Sequence, residues 1–267
     1  MKNSQLVFIK LGGSMITDKS QPLTPHHEVI QRCAAEIAQV TQENPDLKLL
    51  IGHGSGSFGH SVADQYQTQA GVNGETSWKG FAKVWAAARE LNQIVVNELT
   101  SHGLPIIAFP PSAGIIAENH EFKSWDISPL MEALSHELIP VVHGDVVFDK
   151  VIGGTIFSTE KSFQYLANKL HPQRILLAGS DPGVYLDPGE SDEIIHQISS
   201  ETIDQKLPAL AGAEATDVTG GMAAKVQTMI ELVQAYPSLE VLIFSGVKPG
   251  NIQKALQGET LGTLITY

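Results

Sequence analysis

Lys10-Leu11-Gly12-Gly13-Ser14 follows directly on the apolar run Leu6-Val7-Phe8-Ile9. A strand that ends in a lysine and two glycines lets backbone N–H groups turn toward an anion, with the ammonium alongside. A second segment of this kind, His53-Gly54-Ser55-Gly56-Ser57-Phe58-Gly59-His60, follows the apolar run Leu47-Lys48-Leu49-Leu50-Ile51. Gly54-Ser55-Gly56 brings amides close to an anion, and a histidine closing the loop donates to a phosphate, more strongly when protonated. A third, Val218-Thr219-Gly220-Gly221-Met222, opens a helical stretch with Lys225 about one turn in, where backbone amides favour anions. Singly, each has an ordinary alternative: a tight turn, a Gly/Ser connector with a surface histidine, a capped helix with an exposed lysine. The spacing G-x-x-x-x-G-K-[ST] is absent, and G-x-G-x-x-G does not follow the first strand. Together the three loops suggest an enzyme that handles more than one phosphate group. Lys10 would then neutralise charge that builds up on the transferring oxygens. His143-Gly144-Asp145 closes another apolar run, Leu138–Val142; Asp145 there would orient a lysine or a magnesium-bound water, or serve only as a turn residue.

These residues need a frame that delivers them to one place. Strand-like runs lie at Leu6–Ile9, Leu47–Ile51, Pro105–Phe109, Leu138–Val142, Arg174–Ala178 and Glu240–Phe244. Helical patterns lie near Pro25–Val40, Trp78–Thr100, Ser128–Glu137, Ser158–Leu170 and Gly221–Tyr236. Strands separated by helices predict an α/β fold with a mostly parallel sheet covered on both faces. Ligands of such sheets gather beyond the carboxyl ends of the strands, where the glycine loops fall. The centre differs: Ile115-Ile116-Ala117, His120-Glu121-Phe122, Val146-Val147-Phe148 and Thr155-Ile156-Phe157 are short runs between turn residues, expected as small antiparallel hairpins beside the main sheet. Trp78, Phe81, Val84, Trp85 and Ala88 recur at three- and four-residue spacing and predict one apolar helix face, which is ordinary core or the wall of a pocket.

Composition narrows the classes. The chain has 267 residues, 42% of them hydrophobic, enough for one large α/β unit with a sizeable core. Its formal net charge of −12 argues against nucleic acid as a partner, since a polyanion needs a basic surface. Local lysines and oriented amides still bind phosphates on an acidic protein. Cys33 is the single cysteine, which excludes an intrachain disulfide and a thiolate metal cluster. The apolar runs fall far short of the ~20 residues that cross a bilayer, and no signal peptide precedes the first strand. The expectation is a cytoplasmic protein with no membrane partner.

Lys10-Leu11-Gly12-Gly13-Ser14 with Ile16-Thr17-Asp18-Lys19, then His53-Gly54-x-Gly56-Ser57-Phe58-Gly59-His60, His143-Gly144-Asp145, Gly183-Val184-Tyr185, and Asp217–Met222 with Lys225 come in a telling order. That series resembles the amino-acid-kinase superfamily and, within it, the isopentenyl phosphate kinase family, over essentially the whole chain. The Ser-Phe-Gly-His ending separates it from members that phosphorylate carboxylates; fosfomycin kinases share it. The resemblance implies a three-layer αβα sandwich, 1–267, usually a homodimer. The acceptor would sit on an N-terminal half, roughly 1–170, and ATP with Mg2+ on a C-terminal half, roughly 171–267. It implies phosphoryl transfer from ATP to isopentenyl phosphate, with a phosphonate kinase or a glutamate or acetylglutamate kinase as alternatives. By the same resemblance Lys10, Gly12, Gly13 and Ser14 contact the ATP phosphates, Lys19 assists at the transferring group, and Gly56 stands close to it. Ser180, Tyr185, Gly220, Gly221 and Lys225 belong to the nucleotide side. Gly54, Ser55, Gly59 and His60 hold the acceptor phosphate, with Phe81, Trp85 and Gly154 toward its tail. The chain departs from the family pattern in two places. Ser180-Asp181-Pro182 stands for Asp-x-Asp before Gly-Val-Tyr, and Ser158-Thr159-Glu160-Lys161 stands for Ser-Gly-Asp-Asp.

Overall fold

The structure, a computed structural model, describes residues 5–186, 191–199 and 221–267, and within them every side chain but those of His60 and Ser61. The first half runs β1 (Gln5–Leu11), α1 (Gly13–Ile16), α2 (His27–Glu43), β2 (Leu47–His53), α3 (Gly56–Tyr66), α4 (Gly74–Ser101) and β3 (Ile106–Ala108). The middle runs β4 (Ile115–Glu118), β5 (Glu121–Trp125), α5 (Ser128–Ser135), β6 (Ile139–His143), β7 (Asp145–Asp149), β8 (Gly153–Phe157) and α6 (Thr159–Leu170). The remainder is β9 (Arg174–Gly179), β10 (Val184–Tyr185), β11 (Ile194–Ile195), β12 (Gln197–Ser199), α7 (Gly221–Ala235), β13 (Glu240–Ser245), α8 (Asn251–Leu256) and β14 (Thr263–Thr266).

Eight strands form the main sheet in the order β12-β14-β13-β9-β1-β2-β6-β3. Its pairs are parallel except β13 with β14. The alternation of a strand explains the layers. Along β1, Val7, Ile9 and Leu11 pack on one face with α2, α4 and α8, while Phe8 enters the opposite core with α5, α6 and α7. This is the αβα sandwich, with helices on both faces of the sheet. The central hairpins are present as β4/β5 and β7/β8, and a parallel β4–β7 pair joins them into one four-stranded sheet. Among the described residues no helix is long and apolar enough to cross a membrane.

α2 is fastened to the end of β13 by one ion pair. Glu36, 8% exposed, receives a 3.0 Å bond from Arg32 and accepts the N–H groups of Gly250 (2.9 Å) and Gln253 (3.1 Å) at the start of α8. Arg32 also donates to the Gly246 carbonyl at 2.8 Å. The pair thereby satisfies helix-end donors that have no intrahelical partner.

The apolar face of α4 is narrower than its spacing suggests. Phe81, Val84 and Ala88 are buried, whereas Trp78 and Trp85 are 39% and 40% exposed. At about 100° per residue the two tryptophans fall together on one margin of the stripe. Arg89 lies over the Trp85 ring at 5.7 Å, so Trp85 faces outward, away from the pocket wall expected of it.

Candidate active site

Parallel strands β1, β2, β6 and β9 all end at the same edge, and one cleft opens there. Lys10, Gly12, Gly13, Ser14, Lys19, Gly54, Ser55, Gly56, Gly144, Glu160, Gly221 and Lys225 line it. Sequence positions as distant as 10 and 225 therefore meet, as the loop reading requires.

The two glycine loops touch through backbone. A Cβ on Gly13 would stand 2.4 Å from the Gly56 nitrogen, and one on Gly54 would stand 2.7 Å from the Gly13 nitrogen. Gly56 has φ +49°, a conformation that favours glycine. Gly12 donates to the Ala178 carbonyl at 2.7 Å, which fixes the first glycine loop to the end of β9. These contacts draw two rows of amides together with no side chain between them, a concavity suited to anions.

Cations stand over it. Lys10, buried at the end of β1, donates to Glu160, and the Lys225 ammonium is 4.0 Å from the same carboxylate. Burial pushes the Glu160 carboxyl up, but the Lys10 and Lys225 charges outweigh it and hold the group below its usual range. Glu160 lies in the first turn of α6, where a negative charge is favoured, and the Ser158 hydroxyl caps that helix by accepting the Lys161 N–H. Sequence reasoning met Glu160 only as a departure from a motif; its place just after a strand and a serine cap was the available signal. Lys19 reaches the cleft from the α1–α2 loop.

Other expected residues fall differently. Ser180 is near the mouth, donating to the Ser14 hydroxyl at 3.2 Å. Tyr185 stands on β10 outside the cleft lining, and Gly220 lies outside the described residues. Gly59 and His60 belong to the early turns of α3 rather than to a loop; the His60 side chain is outside the described set. Asp145 is corrected: it is 1% exposed and does not line the cleft. Its carboxylate accepts N–H groups from Ser112 (3.1 Å) and Val146 (2.9 Å), and burial pushes it up to about 6. The carboxylate that orients lysines is Glu160.

Beneath Gly54 and Gly144 two histidines stack. β2 and β6 pair His53 with His143 in register, and the rings lie 5.3 Å apart at 6°. Burial holds both below the usual histidine range, so they are neutral. His53 sets Nδ1 3.1 Å from the Gly54 carbonyl and Nε2 3.0 Å from the Asn92 side-chain oxygen; both partners are acceptors, and a neutral ring donates its single proton to one of them, bracing the second glycine loop.

Beside that loop is an apolar cluster of Ala63, Val72, Phe81, Val84 and Val146, with Ile156 packed against it. Ile156 also lines the cleft, so the glycine loops and the cluster share a wall. Gly154 lies against the cluster: a Cβ there would stand 2.7 Å from the Phe81 ring.

The family model described as "Amino acid kinase family" matches residues 5–245. This chain belongs to that family. It is 34% identical to an isopentenyl phosphate kinase of Methanocaldococcus jannaschii, covering 98% of this chain and 99% of the relative. Against an isopentenyl phosphate kinase of Methanothermobacter thermautotrophicus the identity is 32%, again over 98% and 99%. A crystallographic isopentenyl phosphate kinase superposes with a TM-score of 0.83 at 28% identity, over 98% of this chain and all of that one. The fold shared with that structure is the parallel sheet whose strand ends here carry two touching glycine loops and a lysine-bound carboxylate.

Proposed function

We propose that this chain transfers the γ-phosphoryl group of ATP to isopentenyl phosphate, giving isopentenyl diphosphate and ADP. The observation that carries the reading is the shared wall: anion-binding loops on one side of Ile156, an apolar cluster on the other. The acceptor is both charged and greasy, and the cleft offers a place for each end. A small polar phosphonate or an amino acid would leave the apolar side chain of Ile156 in the cleft wall without an apolar partner.

Gly12, Gly13 and Ser14 hold the donor phosphates, with Lys10 and Lys225 neutralising charge on the transferring oxygens. Ser180, Tyr185, Gly220 and Gly221 stand on the nucleotide side. Gly54, Ser55, Gly59 and His60 hold the acceptor phosphate, and Lys19 closes over the pair. An acceptor oxygen, already anionic near neutral pH, attacks the γ-phosphorus as the bond to the β-phosphate oxygen breaks, so no general base is needed. The chief barrier is bringing two anions together, which convergent ammonium groups and amides lower. Mg2+ bound with the nucleotide phosphates would spread their charge; among the described residues no cluster of three or more His, Cys, Asp or Glu side chains could hold it alone. The working form is a cytoplasmic homodimer, which light scattering on the purified protein checks.

Purified protein with Mg-ATP is offered isopentenyl phosphate, fosfomycin, glutamate or acetylglutamate, and ADP release is followed. Turnover with isopentenyl phosphate far above the other three is the expected result. Preference for any other acceptor refutes the assignment.

A further inference from the structure

We propose that Thr17 is a positioning residue: its one hydroxyl is shared by both phosphate loops and sets the separation of donor and acceptor phosphates. Thr17 follows α1 and is 1% exposed. Its Oγ1 donates to the Gly13 carbonyl at 2.7 Å and accepts the Ser57 N–H at 2.9 Å. A hydroxyl has one proton, and a carbonyl can only accept, so both roles are fixed. Gly13 belongs to the donor loop. Ser57 follows Gly56 and is the second residue of α3, whose first-turn N–H groups have no intrahelical partner.

The fit leaves no slack. A Cβ on Gly56 would stand 2.1 Å from the Thr17 hydroxyl, so that glycine is required by the threonine as much as by its own φ. The loop bearing Lys19 is anchored at the same point: Asp18 donates to the Thr24 carbonyl at 2.9 Å, and the Thr24 N–H donates to the Ser57 hydroxyl at 3.3 Å. Donor loop, acceptor helix and the Lys19 loop thus meet at the Thr17–Ser57 contact.

Without the hydroxyl each loop keeps its own glycines and still binds its own phosphate. What is lost is their mutual placement, and a misplacement of about 1 Å costs on the order of 100-fold in rate. An interaction of that kind appears in kcat with little change in KM.

The inference rests on the proposed reaction, which wild-type turnover with isopentenyl phosphate establishes first; the variant ratios then test Thr17 separately. Thr17→Val, matched in shape but without the hydroxyl, is expected to lower kcat about 100-fold with both KM values within about threefold of wild type. Thr17→Ser keeps the hydroxyl and is expected to restore kcat to within about threefold. Thr17→Ala leaves room for a bridging water, is expected to fold normally by its thermal transition, and should lose about tenfold in kcat. It decides the matter should the valine variant not fold. Wild-type kcat in Thr17→Val or Thr17→Ala, a serine variant as poor as the valine one, or a loss confined to KM would each overturn the proposal.

Discussion

The proposed donor and acceptor sides of the cleft are built from different material. The donor side is backbone against backbone: a Cβ on Gly12 would stand 2.6 Å from the Ala178 carbonyl oxygen, and one on Gly13 2.4 Å from the Gly56 nitrogen. The far wall of the acceptor side is side chain against side chain, where a Cβ on Gly154 would meet the Phe81 ring at 2.7 Å and the Val72 methyl at 3.1 Å. Backbone at strand ends cannot move without disturbing the sheet, whereas a phenyl ring can change rotamer. On the proposed assignment, the phosphate chemistry rests on backbone contacts and the fit of the acceptor's tail on side-chain packing.

The sharpest break in that contrast is Gly13→Ala. It should lower kcat by about 1,000-fold, because both amide rows shift at once; near-normal turnover would show that the backbone contact is not what sets the donor side. Glu160→Gln comes next. It removes the charge that gathers Lys10 and Lys225 and should lower kcat about 100-fold while acceptor KM moves little; a change in acceptor KM alone would move Glu160 to the other side of the comparison. Gly154→Ala should raise acceptor KM about tenfold and leave the KM for ATP unchanged, since only the apolar wall is filled. Equal effects on both substrates would erase the distinction.

The smallest effect concerns pH, where two carboxylates differ in sign: Glu160 in the cleft lining and Asp145 outside it. Glu160 is held down by its lysines, so its contribution to stability is present above its ordinary value of 4.5 and is lost as pH falls below it. Asp145 is pushed up by burial from 3.8 to about 6. Between those values the folded state keeps a proton that the unfolded chain has released, so stability falls as pH rises through the window. Asp145→Asn should flatten the fall in Tm between about pH 4 and 6. An unchanged slope would mean that the buried carboxyl is not its source.

Much of this was legible in the chain because it follows from periodicity. The six long apolar runs became β1, β2, β3, β6, β9 and β13, and the ends of all but β3 mark the cleft. Lys10 and Lys225 were visible as cations near glycines, and Lys19 came from the family resemblance. What escaped was short or tertiary. α3 begins inside a Gly/Ser-rich stretch of weak helix formers, and Thr17 stabilises its start from 40 residues away. β10, β11, β12 and β14 have two to four residues each, too few for an alternation to register. Asp145 and Glu160 both follow an apolar strand end, and only the fold distinguishes the carboxylate turned inward from the one that meets the lysines. The outward turn of Trp85 likewise needed the helix's rotation relative to the sheet.

The central claim is that one cleft holds both phosphates end to end, so that the group passes directly from donor to acceptor. ATP made chiral at the γ-phosphorus, converted by the enzyme with isopentenyl phosphate, reports this in the configuration of the product. Inversion is the expected result. Retention would require an even number of displacements, hence a phosphorylated enzyme, and would contradict the account.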